Sequence, residues 1–429
     1  MIRLRNSYKQ SVSLYAAVIT LASCGALHAA QTCNVRDFAA KGGGISKDTA
    51  AIQSAIDACA AKGGGTVLLT AGTYLSAPIV LKSNITLQLD KGATLLGSPD
   101  HADYPAKTEF RMPGLQSLVS ATNAENVAIT GEGTIDGNGE SWWQMARTVR
   151  DAGVMGNPHP RPRLVVFDHC KHVRVEGVTI QNSPMWQLVP YYSDDVLIRN
   201  VRILAPQHSP NTDAVDPFSS SNVHIDHLYA DVGDDNIAIK SGAINSPGGD
   251  EPARDITITD CTFLHGHGLS IGSEVAGGAH HIVAERIHFE NTDNGIRIKA
   301  NRDRGNDVSD LIFRDIDMKD VKHPIVISEY YPSIMPSGGE VKPEPVTRLT
   351  PHFHNIVLEN VTATGGDMAG AIIGLPEAPV TDVVLRNVNL SGKTGLSVGY
   401  ANVTGQNVKV VAAQGDPVIK LADANVKLR

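Results

Sequence analysis

Apolar and polar residues alternate along most of this chain in short bursts that repeat. "VRVEGVTI" from Val173, "VLIRNVRI" from Val196, "VHIDHLYA" from Val223, "ITITDCTF" from Ile256, "IVAERIHF" from Ile282, "LIFRDIDM" from Leu311, "IVLENVTA" from Ile356 and "VVLRNVNL" from Val383 share one pattern: two or three apolar alternations, a polar turn, two more. Period-two alternation puts the apolar side chains on one face of a strand, and Gly, Asn and Asp between the bursts mark turns. The starts lie 23, 27, 33, 26, 29, 45 and 27 residues apart. Self-similarity near that period predicts a solenoid, in which no repeat buries its apolar face alone and stacking builds a continuous core. Propeller blades need about forty to fifty residues, and only one interval approaches that. The expected fold is all-β, a single-stranded parallel β-helix over residues 31–429.

One stretch breaks the alternation. In "DTAAIQSAIDACAAKGGG", Ala51, Ile52, Ala55, Ile56 and Cys59 recur at helical spacing, with Asp48 as a candidate cap and glycines at the stop. It predicts one amphipathic helix that covers the open N-terminal end of the stack. Two long insertions, 138–163 and 331–351, interrupt the rhythm and are candidates to line a binding face.

The first thirty residues differ from the rest. Arg3, Arg5 and Lys9 precede an apolar run from Val12 to Leu27 and small residues at Ala29 and Ala30, the layout of a secretory signal over 1–30. The run is short for a membrane span, and no later segment is long and apolar enough for one. "LASC" at 21–24 also resembles a lipoprotein box with Cys24 as the acylated residue; cleavage near Ala30 is the favoured reading. A secreted or periplasmic location follows. There Cys33 and Cys59 can pair and staple the mature N-terminus to the helix, while Cys170 and Cys261 lie beside strands and read as buried and inert. Five cysteines include no zinc-site spacing. A formal net charge of −8 argues against nucleic acid as the main partner. Asn84, Asn360, Asn389 and Asn402 stand in glycosylation sequons, yet serve equally as turn residues. Trp142, Trp143 and Trp186 are candidates for stacking on a sugar, with Trp186 the best suited to packing.

Each repeat also carries a second short strand, and aligning these gathers the unusual polar residues. Asp213, Asp235, His267 and Asn294 each stand two residues before an inward apolar position: Val215, Ile237, Leu269 and Ile296. Residues one coil apart in the same register lie about 4.8 Å from each other, so Asp213, Asp234, Asp235 and His267 are expected on one patch. In "NGIRIKA", Arg297 and Lys299 alternate with the inward isoleucines and point to that face. Inverting glycoside hydrolysis needs a protonated carboxyl and a second carboxylate that activates water about 6.5–9.5 Å away, roughly two stacking steps. Crowding raises the pKa of one carboxyl, a nearby histidine tunes the proton, and a guanidinium with an ammonium suits an anionic sugar.

"NTD" at 211–213, "GDD" at 233–235, "GHGLSIGS" at 266–273 and "RIK" at 297–299, in that order, resemble the polygalacturonases of glycoside hydrolase family 28, over nearly the whole mature chain. The resemblance implies a right-handed parallel β-helix that cleaves α-1,4 bonds between galacturonic acid units of polygalacturonate or pectin, with inversion, without metal or other cofactor, and as a monomer. Carried over by residue, Asp234 is the general acid, Asp213 and Asp235 activate water, His267 supports the acid, and Arg297 and Lys299 bind the galacturonate carboxylate. Asn211 orients the cluster, and Tyr331 contacts substrate, with Tyr330 as the alternative. Ala214 departs from the usual glycine after "NTD". "SWWQMA" and "PRLVVF" resemble endo-acting bacterial members, exo action being the alternative. A pectate lyase and a non-catalytic carbohydrate-binding β-helix are the competing classes.

Overall fold

The computed structural model describes residues 31–154, 159–336 and 341–429. The leader, including Cys24, lies outside them. Nearly every strand joins one long stack of parallel ladders running from Thr32–Asn34 to Ala424–Leu428. The repeat starts read from the alternation form a single inward file: Val127, Val173, Val196, Val223, Ile256, Ile282, Leu311, Ile356, Val383 and Val403 pair coil to coil. All are buried, so each coil's apolar stripe is covered by its neighbours above and below. Fully burying one such side chain contributes roughly 1.5–3 kcal/mol, an amount no isolated coil would collect.

Polar corners turn the chain between the strands. Asn200, His227, Asp260, Arg286, Asp315, Asn360, Asn387 and Asn407 all have φ near +55°. Short polar side chains tolerate that left-handed conformation better than branched ones. Asn360, Asn387 and Asn407 also bond to one another coil to coil at 3.0 Å, so the Asn360 sequon is occupied by a corner ladder. Asn84 is likewise a left-handed turn residue.

The first helix, α1 (Thr49–Ala61), buries Ile52, Ala55, Ile56 and Cys59 against the N-terminal coils, as its spacing predicts. Asp48 does not cap it through its side chain; the carboxylate instead accepts from the backbone N–H groups of Lys41 and Gly42 at 2.7 and 2.9 Å and fixes the preceding turn. Cys33 and Cys59 are joined in a disulfide. Cys170 and Cys261 are buried free thiols whose pKa burial pushes up to about 11 and about 12, which suits inert packing groups. The insertion from 138 carries a second helix, α2 (Glu140–Asp151). No helix among the described residues is long and apolar enough to cross a membrane.

Candidate active site

The register that gathers the polar residues is present in the ladders. Val215 bridges Ile237, Ile237 pairs with Leu269, and Leu269 with Ile296. The residues two places earlier, Asp213, Asp235, His267 and Asn294, therefore stack on consecutive coils. Main-chain bonds tie these turns together: Ala214 N–H donates to the Asp235 carbonyl at 2.9 Å, and Asn236 N–H to the Gly268 carbonyl at 2.9 Å. The two glycines around His267 are required by the turn. Gly266 and Gly268 have φ of +90° and +80°, and a Cβ on either would collide with the Asp234 or Asn294 carbonyl. Ala214 is fully buried and is not among the residues with positive φ, so its turn has no need of glycine.

Adjacent on the chain, Asp234 and Asp235 have separate partners. Asp234 Oδ1 lies 3.0 Å from His267 Nδ1 and accepts the Asp235 N–H at 2.9 Å. Asp235 accepts from Ser270 Oγ at 2.8 Å and from Lys299 Nζ at 2.7 Å, with Arg297 Nη1 4.0 Å away. Arg297 and Lys299 do leave the inward face, but their side chains are only 15% and 7% exposed: the cations are enclosed in the site. Asp213 is buried with Oδ1 unpartnered. Asn211, left-handed at φ 57°, accepts from Arg161 Nη2 at 2.6 Å.

One carboxyl of the cluster is raised, and it is Asp213 rather than Asp234. Burial, then Asp234 and Asp216, push Asp213 well above the usual carboxylate range. At Asp234 burial acts upward and is outweighed by the His267 hydrogen bond and charge, by Lys299 and by the Asp235 N–H, so this group lies below its ordinary value. His267 is correspondingly raised: burial lowers it, and its bond to Asp234 more than offsets that. In the free protein the proton beside Asp234 therefore rests on the imidazole. Asp213 and Asp235 occupy adjacent coils, a single stacking step of about 4.8 Å apart.

The profile described as glycosyl hydrolases family 28 matches residues 59–413. The chain belongs to glycosyl hydrolases family 28. It is 32% identical to a probable polygalacturonase of Vitis vinifera over 84% of this chain and 74% of that one, and 32% identical to an endo-polygalacturonase of Pectobacterium carotovorum subsp. carotovorum over 80% and 84%. Among solved structures, the hyperthermoactive exopolygalacturonase of Thermotoga maritima superposes with a TM-score of 0.76 at 29% identity, over 90% of this chain and 93% of that one.

Around the family 28 cluster stand groups that sequence reading missed. Lys240 is 6% exposed, with Nζ 3.9 Å from Asp216, 3.6 Å from Glu274 and 5.2 Å from the Trp186 ring. Asp216, fully buried with both carboxyl oxygens unpartnered, is raised to about 8, chiefly by burial. Buried Arg161 donates to the Pro184 and Pro210 carbonyls at 2.9 and 2.8 Å besides holding Asn211. Tyr331, not Tyr330, faces the cluster: its ring centre lies 5.7 Å from Arg297, 5.5 Å from Lys299 and 5.6 Å from Arg304, whereas the Tyr330 hydroxyl is buried and unpartnered. Trp142 and Trp143 are buried, Trp142 stacked on His101 at 3.5 Å and Trp143 bonded to the Ser183 carbonyl, so neither offers a face to a sugar. Trp186 packs under Arg163 and Phe110. A cavity of about 300 Å³ opens beside Asp234 and His267, with Arg150 of α2 and Lys322 on its wall.

Proposed function

We propose that this family 28 hydrolase cleaves α-1,4 bonds between galacturonic acid units of polygalacturonate or pectin, by inversion, without metal and within the polymer chain. The observation that carries the reading is the split between neighbouring carboxylates, Asp234 on His267 and Asp235 on Lys299. Arg297, Lys299 and Tyr331 surround a place for a sugar carboxylate, with a guanidinium and an ammonium to receive it. Asp234 serves as the acid through its link to His267. The two side chains are 21% and 34% exposed, and a sugar seated over them expels water and penalises the charged carboxylate–imidazolium form. The proton then crosses the 3.0 Å bond to Asp234, which passes it to the glycosidic oxygen. Asp235, oriented by Ser270 and Lys299, takes the proton of the attacking water, and Asp213 holds that water from the adjacent coil. Positive charge at the scissile sugar comes from the chain itself, which is what supports metal-free action.

Digestion of polygalacturonate tests this. Reducing ends without ultraviolet-absorbing unsaturated product, still formed in the presence of chelator and abolished in Asp234→Asn, support hydrolysis. Unsaturated product would assign a lyase, and binding without cleavage a carbohydrate-binding solenoid. Endo action is supported by identity to the Pectobacterium enzyme; exo action is the second reading, favoured by the fit to the Thermotoga exopolygalacturonase and by Arg150 at the cavity wall. A ladder of early oligomers means endo, and mono- or digalacturonate alone means exo. Export through the 1–30 leader to the periplasm or medium, and a monomeric state, complete the proposal; cell fractionation with N-terminal sequencing checks the first and gel filtration the second.

A further inference from the structure

Away from this cluster, three coils bring imidazoles to one carboxylate. In the strand His352–Ile373, "HFH" places His352 and His354 two residues apart with buried Phe353 between them, so both imidazoles project outward from one face. One coil earlier the strand Asp307–Lys319 sets Asp307 beside His352 and Ser309 beside His354, and another coil back His280 lies beside Ser309. Asp307 Oδ1 is 2.8 Å from His354 Nε2 and 3.3 Å from His352 Nδ1. Asp307 Oδ2 accepts from Ser309 Oγ at 2.9 Å and lies 3.4 Å from His280 Nδ1.

We propose that Asp307, His352 and His354 form a binding site for a zinc ion, with His280 and Ser309 orienting the carboxylate. Zinc–ligand bonds of about 2.0–2.1 Å at tetrahedral angles separate ligand atoms by roughly 3.3 Å, and the donor atoms of these three residues already lie within 4.8 Å of one another. Two imidazoles and one carboxylate suit zinc and its transition-metal neighbours; calcium and magnesium favour all-oxygen sets. The side chains of Asp307 and His352 are 41% and 52% exposed, which leaves an entry path and room for water as the remaining ligand. The site also has a place in the fold. His352 N–H donates to the Asn306 carbonyl at 3.0 Å where the 331–351 insertion rejoins the stack. Four residues upstream Arg348 reaches the carbonyls of Ser246 and Ala276, in the loops that follow the site strands Ile237–Ser241 and Leu269–Val275. Zinc therefore fastens the root of the loop that carries Tyr331, outside the chemistry.

Calorimetric titration of zinc chloride into chelator-treated, dialysed full-length protein tests the assignment. One equivalent binds the wild type, His354→Gln weakens binding about tenfold or more, and Asp307→Asn with His352→Gln removes it. His227→Gln, in the separate Asp226, His227 and Asp260 cluster, leaves it intact. Zinc raises the melting temperature of the wild type and protects the 331–351 segment from proteolysis, and does neither in the Asp307 and His352 double variant, whose folding is checked by circular dichroism. No zinc binding by the wild type, equal binding by the wild type and the folded double variant, or loss on His227→Gln instead, overturns the proposal. Cleavage of polygalacturonate is measured separately, so either reading can fail without the other.

Discussion

Replacing Lys299 by Met separates the structural work of the site from its chemistry. Lys299 Nζ and Asp235 Oδ2 are 2.7 Å apart, and the two side chains are 7% and 2% exposed. At an effective dielectric of about 20 that distance corresponds to a gross attraction of about 6 kcal/mol, most of it offset by taking both charges out of water. Losing one partner is costlier than losing both, because the remaining carboxylate stays buried with only Ser270 and the more distant Arg297 to answer it. Lys299→Met should cost about 3–5 kcal/mol, whereas Lys299→Met with Asp235→Asn should retain all but about 1–2 kcal/mol of the original stability. Urea unfolding followed by circular dichroism and tryptophan fluorescence reads both, with coincident transitions required because stacked repeats need not unfold together. Neither variant should cleave polygalacturonate. A double variant no more stable than Lys299→Met, or a single variant within about 1 kcal/mol of the wild type, would refute the buried-pair argument.

His267→Gln should lower kcat about 10²–10⁴-fold and move the alkaline limb of the pH profile. In the wild type that limb lies above the ordinary imidazole value of about 6.5, because Asp234 raises His267, and activity falls as pH rises through the raised value. An unshifted limb in the variant would exclude His267 as the proton store. Asp216→Asn should remove a slope of stability with pH. Asp216 is raised to about 8, so between about pH 4 and 8 the native state holds a proton that the unfolded chain has released, and stability falls as pH rises through that window. Urea midpoints at pH 4 and 8 should diverge less in the variant than in the wild type, the remainder coming from raised Asp213. Reducing Cys33–Cys59 opens a loop of sequence separation 26 and should cost about 3.5 kcal/mol, read as a lower urea midpoint in reductant that Cys33→Ser with Cys59→Ser reproduces.

The register of the site was legible because inward positions cannot slip: a one-residue shift would expose a whole apolar file. Once Val215, Ile237, Leu269 and Ile296 are recognised as one file, the polar residues two places earlier must stack. Side-chain partners beyond that file were not legible. Lys240 follows an alternating "IAI", but its partner Glu274, 3.6 Å away, stands more than thirty residues on in the sequence. Arg161 lies in a proline-rich insertion whose pattern has no period, and its place is set by the Pro184 and Pro210 carbonyls. The tryptophans of α2 misled for the converse reason: a helix carried by an insertion has its own core to fill, and Trp142 and Trp143 fill it.

Two adjacent aspartates would repel and gain nothing if they shared one environment. The pair lies in the bend ahead of the strand Ile237–Ser241, where the two side chains part toward different partners, so neighbours in sequence have different surroundings. Asp234 meets the next coil at His267, and Asp235 reaches two coils on to Lys299. Each carboxylate is thus tuned by a different rung of the ladder, one through a group that stores a proton and one through a fixed cation. The acid and the water-activating base can then differ in protonation without being moved apart, and the partly exposed His267–Asp234 pair is the part of this arrangement that a bound sugar can reset by excluding water.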